Sequence, residues 1–375
     1  MASPLSEQHN LLGARLGTYF GLELPAGYSP LESEWTRGRE TAALFDTNYH
    51  AVFELSGADR ARYLNAVTSG DIRSLQPGGG ALGLLLNAQG HIVAELETYA
   101  LEDRFLLLSH AVAGQRTFET LDKYIIMDDC TLTDVSAQWA SCALEGPRAE
   151  QALATACGVE IPGAQARMPA PPTAAYAHKE VVIGGVNCRV LRKFHFGLPG
   201  AEILAPRNAV ADVWAALAVA AGKSGGGPIG WQAINALRIE AGVRWFSYDF
   251  DDTVIPHEAG LEQTHISYTK GCYTGQEIVE RVRSRGRLNR WLSLVEFSGS
   301  APPERGTKLL AEGKEWGQVT SSSYSPGRKK GIGFAYLRKE HNTAGAALEY
   351  AGGTARVLES PAPTPADAPR PTQCE

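Results

Sequence analysis

The spacing of hydrophobic positions changes several times along the chain, and each change marks an element. "AVFELS" (51–56) alternates apolar and polar residues, as a strand with one buried face does. "GADRARYLNAVT" (57–68) switches to the spacing of a short helix, and "GALGLLLNAQGHIVAELETYALEDRFLLLSH" (80–110) reads as three strands joined by tight turns. A helical pattern at 115–129 and a strand at 130–136 complete the block. A similar order follows: strand "WASCALEG", helix "PRAEQALATACG", strands in "AAYAHKEVVIGGVNCRVLRKFHF" and "AEILAP", and helix "NAVADVWAALAVAAG". Two such blocks predict an α+β protein with two related antiparallel-sheet α/β units.

From about residue 290 the strands shorten and turns multiply, as in a small β-barrel. The expected organisation is an N-terminal helical segment (1–44), a first unit (45–137), a second unit (138–288) carrying "KGCYTGQE", the barrel (289–358) and a disordered Pro- and Ala-rich tail (359–375). The glycine-rich "GKSGGGPIG" leads into the helix "WQAINALRIEAG". Its Lys-Ser pair precedes the glycines, so it does not match a phosphate-binding loop.

Composition narrows the function classes. The 375 residues are 44% hydrophobic, ordinary for a globular chain, and the net charge of −6 sets the bulk surface against nucleic acid and anionic membrane. No segment approaches the ~18 uninterrupted apolar residues of a membrane span, and the N-terminus lacks a basic start followed by an apolar run; the expected location is cytoplasmic. The six cysteines include no C-x-x-C pair and no Cys/His cluster, so no metal site is expected. Cys130, Cys142 and Cys188 sit in strand-like segments as small buried hydrophobes.

Cys272 differs from these. In "TKGCYTGQEIVER" (269–281), Thr274 and Glu277 have the spacing of a capping box, which starts a helix at the point where its positive end favours a thiolate. Lys270 adds a nearby positive charge. The plainer alternative is a packed small residue in a connecting loop. Arg281, Arg283, Arg285, Arg287 and Arg290 form a cationic run that suits phosphate, a polyglutamyl tail or RNA, or is simply a solvated helix end.

"KGCYTGQE" resembles the K-G-C-[FY]-x-G-Q-E signature of the YgfZ-like folate-binding proteins, related to a mitochondrial factor that helps mature iron-sulfur enzymes. They belong with the aminomethyltransferase T-protein of the glycine cleavage system. "LFDTNYHAVFELSGADRARYLNAVTSGDIRSLQPG", "LRIEAG", "PHEAGL" and "GQVTSSSYSP" are similar to further T-protein segments in the same order. The resemblance implies a central tetrahydrofolate pocket capped by the barrel. It implies that Glu202, in "GLPGAEILAP", holds the pterin, with Asn87, Arg238, Tyr273 and Gln276 as further folate contacts. It implies Cys272, Lys270 and Glu95 as the chemically active residues.

Departures from the T-protein pattern matter too. Its Asp-Asp pair is replaced by Ala94 and Glu95, its Ala-Arg-Asp by Ala233, Ile234 and Asn235, and a turn glycine by His91. The expected function is therefore a tetrahydrofolate-binding accessory protein that supports assembly or repair of iron-sulfur enzymes through Cys272. Its partners would be folate, those enzymes or their assembly proteins. Two alternatives stand beside it: a folate-dependent aminomethyltransferase or demethylase in which Glu95 takes over the lost acid's work, and a tRNA- or protein-binding adaptor using Arg281 to Arg290.

Overall fold

The computed structural model describes residues 3–158, 176–286, 288–299 and 301–359. Helix α1 (Ser6–Leu11), the hairpin β1 (Arg15–Tyr19) and β2 (Leu22–Gly27), and helix α2 (Leu31–Glu40) open the chain. There follow β3 (Ala43–Asp46), β4 (His50–Ser56), α3 (Arg60–Val67), β5 (Gly80–Leu86), β6 (Ile92–Ala100), β7 (Arg104–His110), α4 (Gly114–Tyr124) and β8 (Thr131–Asp134). Next come β9 (Trp139–Glu145), α5 (Ala149–Cys157), β10 (His178–Ile183), β11 (Val186–Arg192), β12 (Gly200–Pro206), α6 (Val210–Gly222), β13 (Gly227–Pro228), α7 (Trp231–Glu240), α8 (Glu262–His265) and α9 (Gln276–Arg285). The strands β14 (Arg290–Phe297), β15 (Lys308–Ala311), β16 (Lys314–Ser325), β17 (Lys330–Arg338), β18 (Ala347–Tyr350) and β19 (Gly353–Glu359) close into a barrel.

The fold is the expected α+β pair of sheets plus barrel. The first sheet runs β5-β6-β7-β4-β8 and the second β10-β11-β12-β9-β3-β13. Alternation along each strand assigns its two faces. On β6, Ile92, Ala94 and Leu96 enter the core of the first unit, while Tyr99 joins Val52, Leu106 and Leu108 of the same sheet in a cluster with Leu191 and Leu204 of the second. On β12, Ala201, Ile203 and Ala205 pack with α5 and α6, which turns Glu202 and Leu204 toward the first sheet. The two sheets thus meet through one face each, and the polar residues on those faces are sealed between them.

Three organisational expectations change. The N-terminal segment is not purely helical, because residues 15–27 form a hairpin, and its Phe-Gly turn lacks the Asn-Gly signal that marks such turns in sequence. Residues 43–46 belong to the second sheet, where β3 pairs with β9. The "KGCYTGQE" stretch packs on the first unit, not the second: Phe246, Phe250, Val254, Leu261, Ile266, Tyr273 and Val279 share a core with β5 and β6. β19 ends at Glu359, and the rest of the expected tail lies outside the described residues. Among the described residues, no helix is long and apolar enough to cross a membrane.

The barrel is joined to the body through a buried ion pair. Arg238 on α7 and Asp249 are both fully buried, and the guanidinium donates to the Asp249 carboxylate, to Val243 O (3.1 Å) and to Asn235 Oδ1 (2.9 Å). Asp249 also accepts the Trp245 N–H (3.0 Å) and the hydroxyls of Thr320 (2.7 Å) and Ser321 (2.5 Å) on the barrel strand β16. Asp249→Ala is expected to cost about 3–5 kcal/mol, because it strands a buried guanidinium. Urea unfolding checks this, and a loss below about 1 kcal/mol, the scale of an exposed pair, would contradict it.

Candidate functional site

The polar layer between the sheets centres on Glu202. Its carboxylate lies 3.0 Å from Lys193 Nζ, 3.0 Å from His50 Nε2 and 3.3 Å from His195 Nε2. Lys193 also reaches Glu97 at 2.7 Å, and the Tyr99 hydroxyl donates to Glu97 at 2.7 Å. Glu145 fixes the loop that carries Lys193 and His195 by accepting the backbone N–H groups of His195, Phe196 and Leu198 at 2.6, 2.9 and 3.0 Å. Burial alone would raise the pKa of Glu202; His50 and Lys193 outweigh it and hold the carboxyl well below its usual range. Burial also lowers the pKa of His50, which favours a neutral imidazole donating through Nε2. The aligned bond from His50 Nε2 goes to Glu202 Oε2 (3.2 Å); Oε1, although 3.0 Å from the same nitrogen, has no aligned donor among the described residues. A buried carboxylate oxygen in that state suits an N–H group of a ligand.

Glu95 stands on the same side of β6 as Glu97. It accepts His265 Nε2 at 2.8 Å and His110 Nε2 at 3.2 Å, and Thr264 Oγ1 lies 2.7 Å from His265 Nδ1, consistent with a tautomer that presents Nε2–H to the acid. Burial would raise the pKa of Glu95, but the bonds from His110 and His265 prevail and hold it well below the carboxylate range. It is an anion at neutral pH.

A stack of rings connects the two acids. Tyr49 lies 4.2 Å from the His50 ring and 5.1 Å from that of His110, centroid to centroid. Against this stack sits Phe20, from the turn of the β1–β2 hairpin. It is buried, 4.4 Å from Tyr49 in stacked geometry, and it meets Trp231, Tyr248, Trp245 and His110 at 5.1 to 5.4 Å. Its φ of +51°, followed by Gly21 at +74°, is the left-handed conformation of a two-residue hairpin turn. For a bulky side chain that conformation costs on the order of 1–3 kcal/mol, offset here by aromatic contacts.

The structure brings Glu95 and Glu202 into this layer and places the other expected residues elsewhere. Lys270 is not aimed at the thiol. Its ammonium donates to the carbonyls of Asn65 (2.6 Å), Thr68 (2.5 Å) and Gly70 (2.7 Å), closing the C-terminal end of α3, and burial lowers its pKa to about 8. Asn87 uses its side-chain oxygen to cap its own turn at the N–H groups of Gln89 and His91. Arg238 is the buried barrel anchor. Tyr273 is packed in the first core beneath Lys270, and Gln276 is the half-buried first residue of α9. The N-cap of α9 is Gly275 at φ +83°, not Thr274, and no side chain caps the helix; a Cβ at 275 would collide with Asn87 O at 2.7 Å, so the position requires glycine.

Among the described cysteines, Cys272 alone is exposed, and it lies on the loop before α9. Within the arginine run, Arg281, Arg283 and Arg290 are paired with Glu277, Glu280 and Glu258. His91 remains a turn residue after Asn87. Among the described residues, no group of three or more His, Cys, Asp or Glu is placed to hold a metal ion. Sequence reasoning missed His50, His110, Lys193, His195, His265 and Phe20. The local signal was limited to His50 and His110, histidines at strand ends.

Comparison with known proteins places this arrangement. The profile of the GCVT N-terminal domain matches residues 5–268, and that of the glycine cleavage T-protein C-terminal barrel domain matches residues 290–362. An aminomethyltransferase of Symbiobacterium thermophilum is 30% identical over 370 residues, covering 96% of each protein. That of Herpetosiphon aurantiacus is 27% identical over 349 residues, covering 92% of each. The crystal structure of glycine cleavage system aminomethyltransferase T from Bartonella henselae matches with a TM-score of 0.83 at 23% identity, over 96% of this chain and 97% of that one, which establishes a common fold. With one domain profile matching the paired sheets and the other the barrel, the chain belongs to the glycine cleavage T-protein superfamily.

Proposed function

We propose that the chain is a tetrahydrofolate-dependent one-carbon transferase of the aminomethyltransferase kind, with Glu95 as its catalytic carboxylate and Glu202 as the folate anchor. The observation that carries this reading is the fixed anion at Glu95, held by His110 and His265 and joined through a ring stack to a second buried acid. Moving a one-carbon unit between amines builds positive charge on carbon and nitrogen as the old C–N bond weakens. A preorganised carboxylate in a water-poor site stabilises that charge and can accept the departing proton. The two histidines set the position of the longer glutamate that stands where the T-protein pattern has aspartate. Relatives named aminomethyltransferase along almost the whole chain support the same reading.

One observation favours a second reading. The exposed thiol of Cys272 sits in an octapeptide held in place by Lys270, which suits the YgfZ-like role in iron-sulfur enzyme maintenance. The two readings separate in one experiment: transfer of the one-carbon unit of an aminomethyl donor, whose carbon is already at the formaldehyde oxidation level, to tetrahydrofolate with release of ammonia and of the donor's carrier group, by wild type, Glu95→Gln and Cys272→Ser. The expected result is a kcat lower by on the order of 100-fold or more in Glu95→Gln and unchanged in Cys272→Ser. Absent turnover in wild type, with a cellular iron-sulfur enzyme defect rescued by wild type and not by Cys272→Ser, would replace the first reading by the second.

The anionic state of Glu95 has its own test. Because its folded pKa is depressed, its contribution to stability is present above the unfolded value of about 4.3 and is lost as pH falls toward the folded value. Wild type should exceed Glu95→Gln by about 2 kcal/mol in urea unfolding at pH 7. That difference should shrink steadily below about pH 4.3, and a difference independent of pH would show that Glu95 is not held as an anion.

A further inference from the structure

We infer that the β1–β2 hairpin is a lid, and that its Phe20 ring holds the slot that a planar heteroaromatic ligand takes when the lid opens. This rests on the reading of the central layer as a folate site. The slot has the chemistry such a ring needs. Tyr49 stacks on one face, Trp231, Trp245 and Tyr248 supply edges, and His110, the partner of Glu95, lies against the ring. Glu202 stands beyond His50, which itself packs on Tyr49.

The hairpin is built to move at its tip and to stay anchored at its base. It forms a sheet of its own; β1 is exposed at Arg15 and Leu16 near the base and at Thr18 toward the tip, while Tyr19 and Leu22 beside the turn pack on the same aromatic cluster as Phe20. At the base, Leu24 to Gly27 are buried, and Glu34 clamps the residues that follow by accepting the N–H groups of Tyr28 and Ser29. At the tip, apart from ring contacts, Phe20 N–H donates a long 3.4 Å bond to the Tyr248 hydroxyl. The turn conformation at Phe20 is one that an L-residue with a large side chain rarely adopts, so aromatic packing rather than local preference holds it closed.

Tyr248 also supplies the way in. It lines a cavity of about 220 Å³ between body and barrel, together with Arg305, Gln318 and Thr320. The Arg305 guanidinium lies 5.8 Å from the centre of the Tyr248 ring. Tyr248 therefore separates that cavity from Phe20, and withdrawal of the Phe20 ring removes the inner half of the partition.

The test pairs Phe20→Gly, which keeps the turn's backbone conformation accessible, with wild type. Binding of 5-formyltetrahydrofolate is measured by calorimetry, and amide exchange of residues 15–22 is measured in the free wild-type protein. If the closed lid leaves about a tenth or less of molecules competent, Phe20→Gly binds about 10-fold more tightly or better. The hairpin-tip amides of wild type then exchange well before global unfolding, faster than those of β6. Equal or weaker binding by a folded Phe20→Gly overturns the lid while leaving the folate reading intact. If neither protein binds, the folate reading fails, and exchange decides the lid alone: tip amides that exchange only with global unfolding overturn it, and early exchange sustains it.

Discussion

The structure depends on burying carboxylates between two sheets. Glu97, Glu145 and Glu202 all lie in the interior, where an unpaired anion would be prohibitively unfavourable. The fold answers with Lys193 between Glu97 and Glu202, with imidazoles on Glu202, and with three backbone N–H groups on Glu145. Replacing such a layer by apolar residues is often neutral or stabilising in other proteins, so stability alone does not account for it. Its geometry is what a ligand site requires: charges held in place before the ligand arrives.

On the proposed reading the two ends of the layer do different work. Glu202 is fully buried and shares Lys193, an arrangement suited to gripping a ligand. Glu95 is slightly open and is held by the imidazoles of His110 and His265, the position the proposal gives to the catalytic carboxylate. The barrel does not supply these groups. It is fastened through Asp249 and Arg238 and leaves a cavity beside Tyr248, so its part is to bound the approach to the layer. Lys270 and Gly275 serve the scaffold in a similar way, one closing α3 and the other letting α9 approach the turn at Asn87.

Much of the architecture was legible because it rests on local periodicity. Alternation in "AVFELS" predicted a strand with one polar face, "AEILAP" read as a strand, and the turn-rich C-terminal region predicted the barrel. Glu95 and Glu202 were legible as candidates only through resemblance, since each alone reads as a surface glutamate on a strand. Their partners were not legible. His265 is 170 residues from Glu95, and His50 is 152 from Glu202, so no spacing rule connects them. The role expected of Lys270 failed for the same reason: proximity in sequence to Cys272 said nothing of the three carbonyls that close on it from residues 65–70. Phe20 was hidden because a Phe-Gly turn is disfavoured locally and exists only through tertiary packing.

The central claim is that this charge layer recognises folate. It is tested most directly by calorimetric titration of tetrahydrofolate into wild type and into Glu202→Gln, with thermal unfolding to verify that the variant is folded. The account predicts saturable one-to-one binding by wild type and a loss of about 2–3 kcal/mol, on the order of 30- to 150-fold, when the buried anion is removed. Equal affinity in a folded Glu202→Gln, or no binding by wild type, would contradict it.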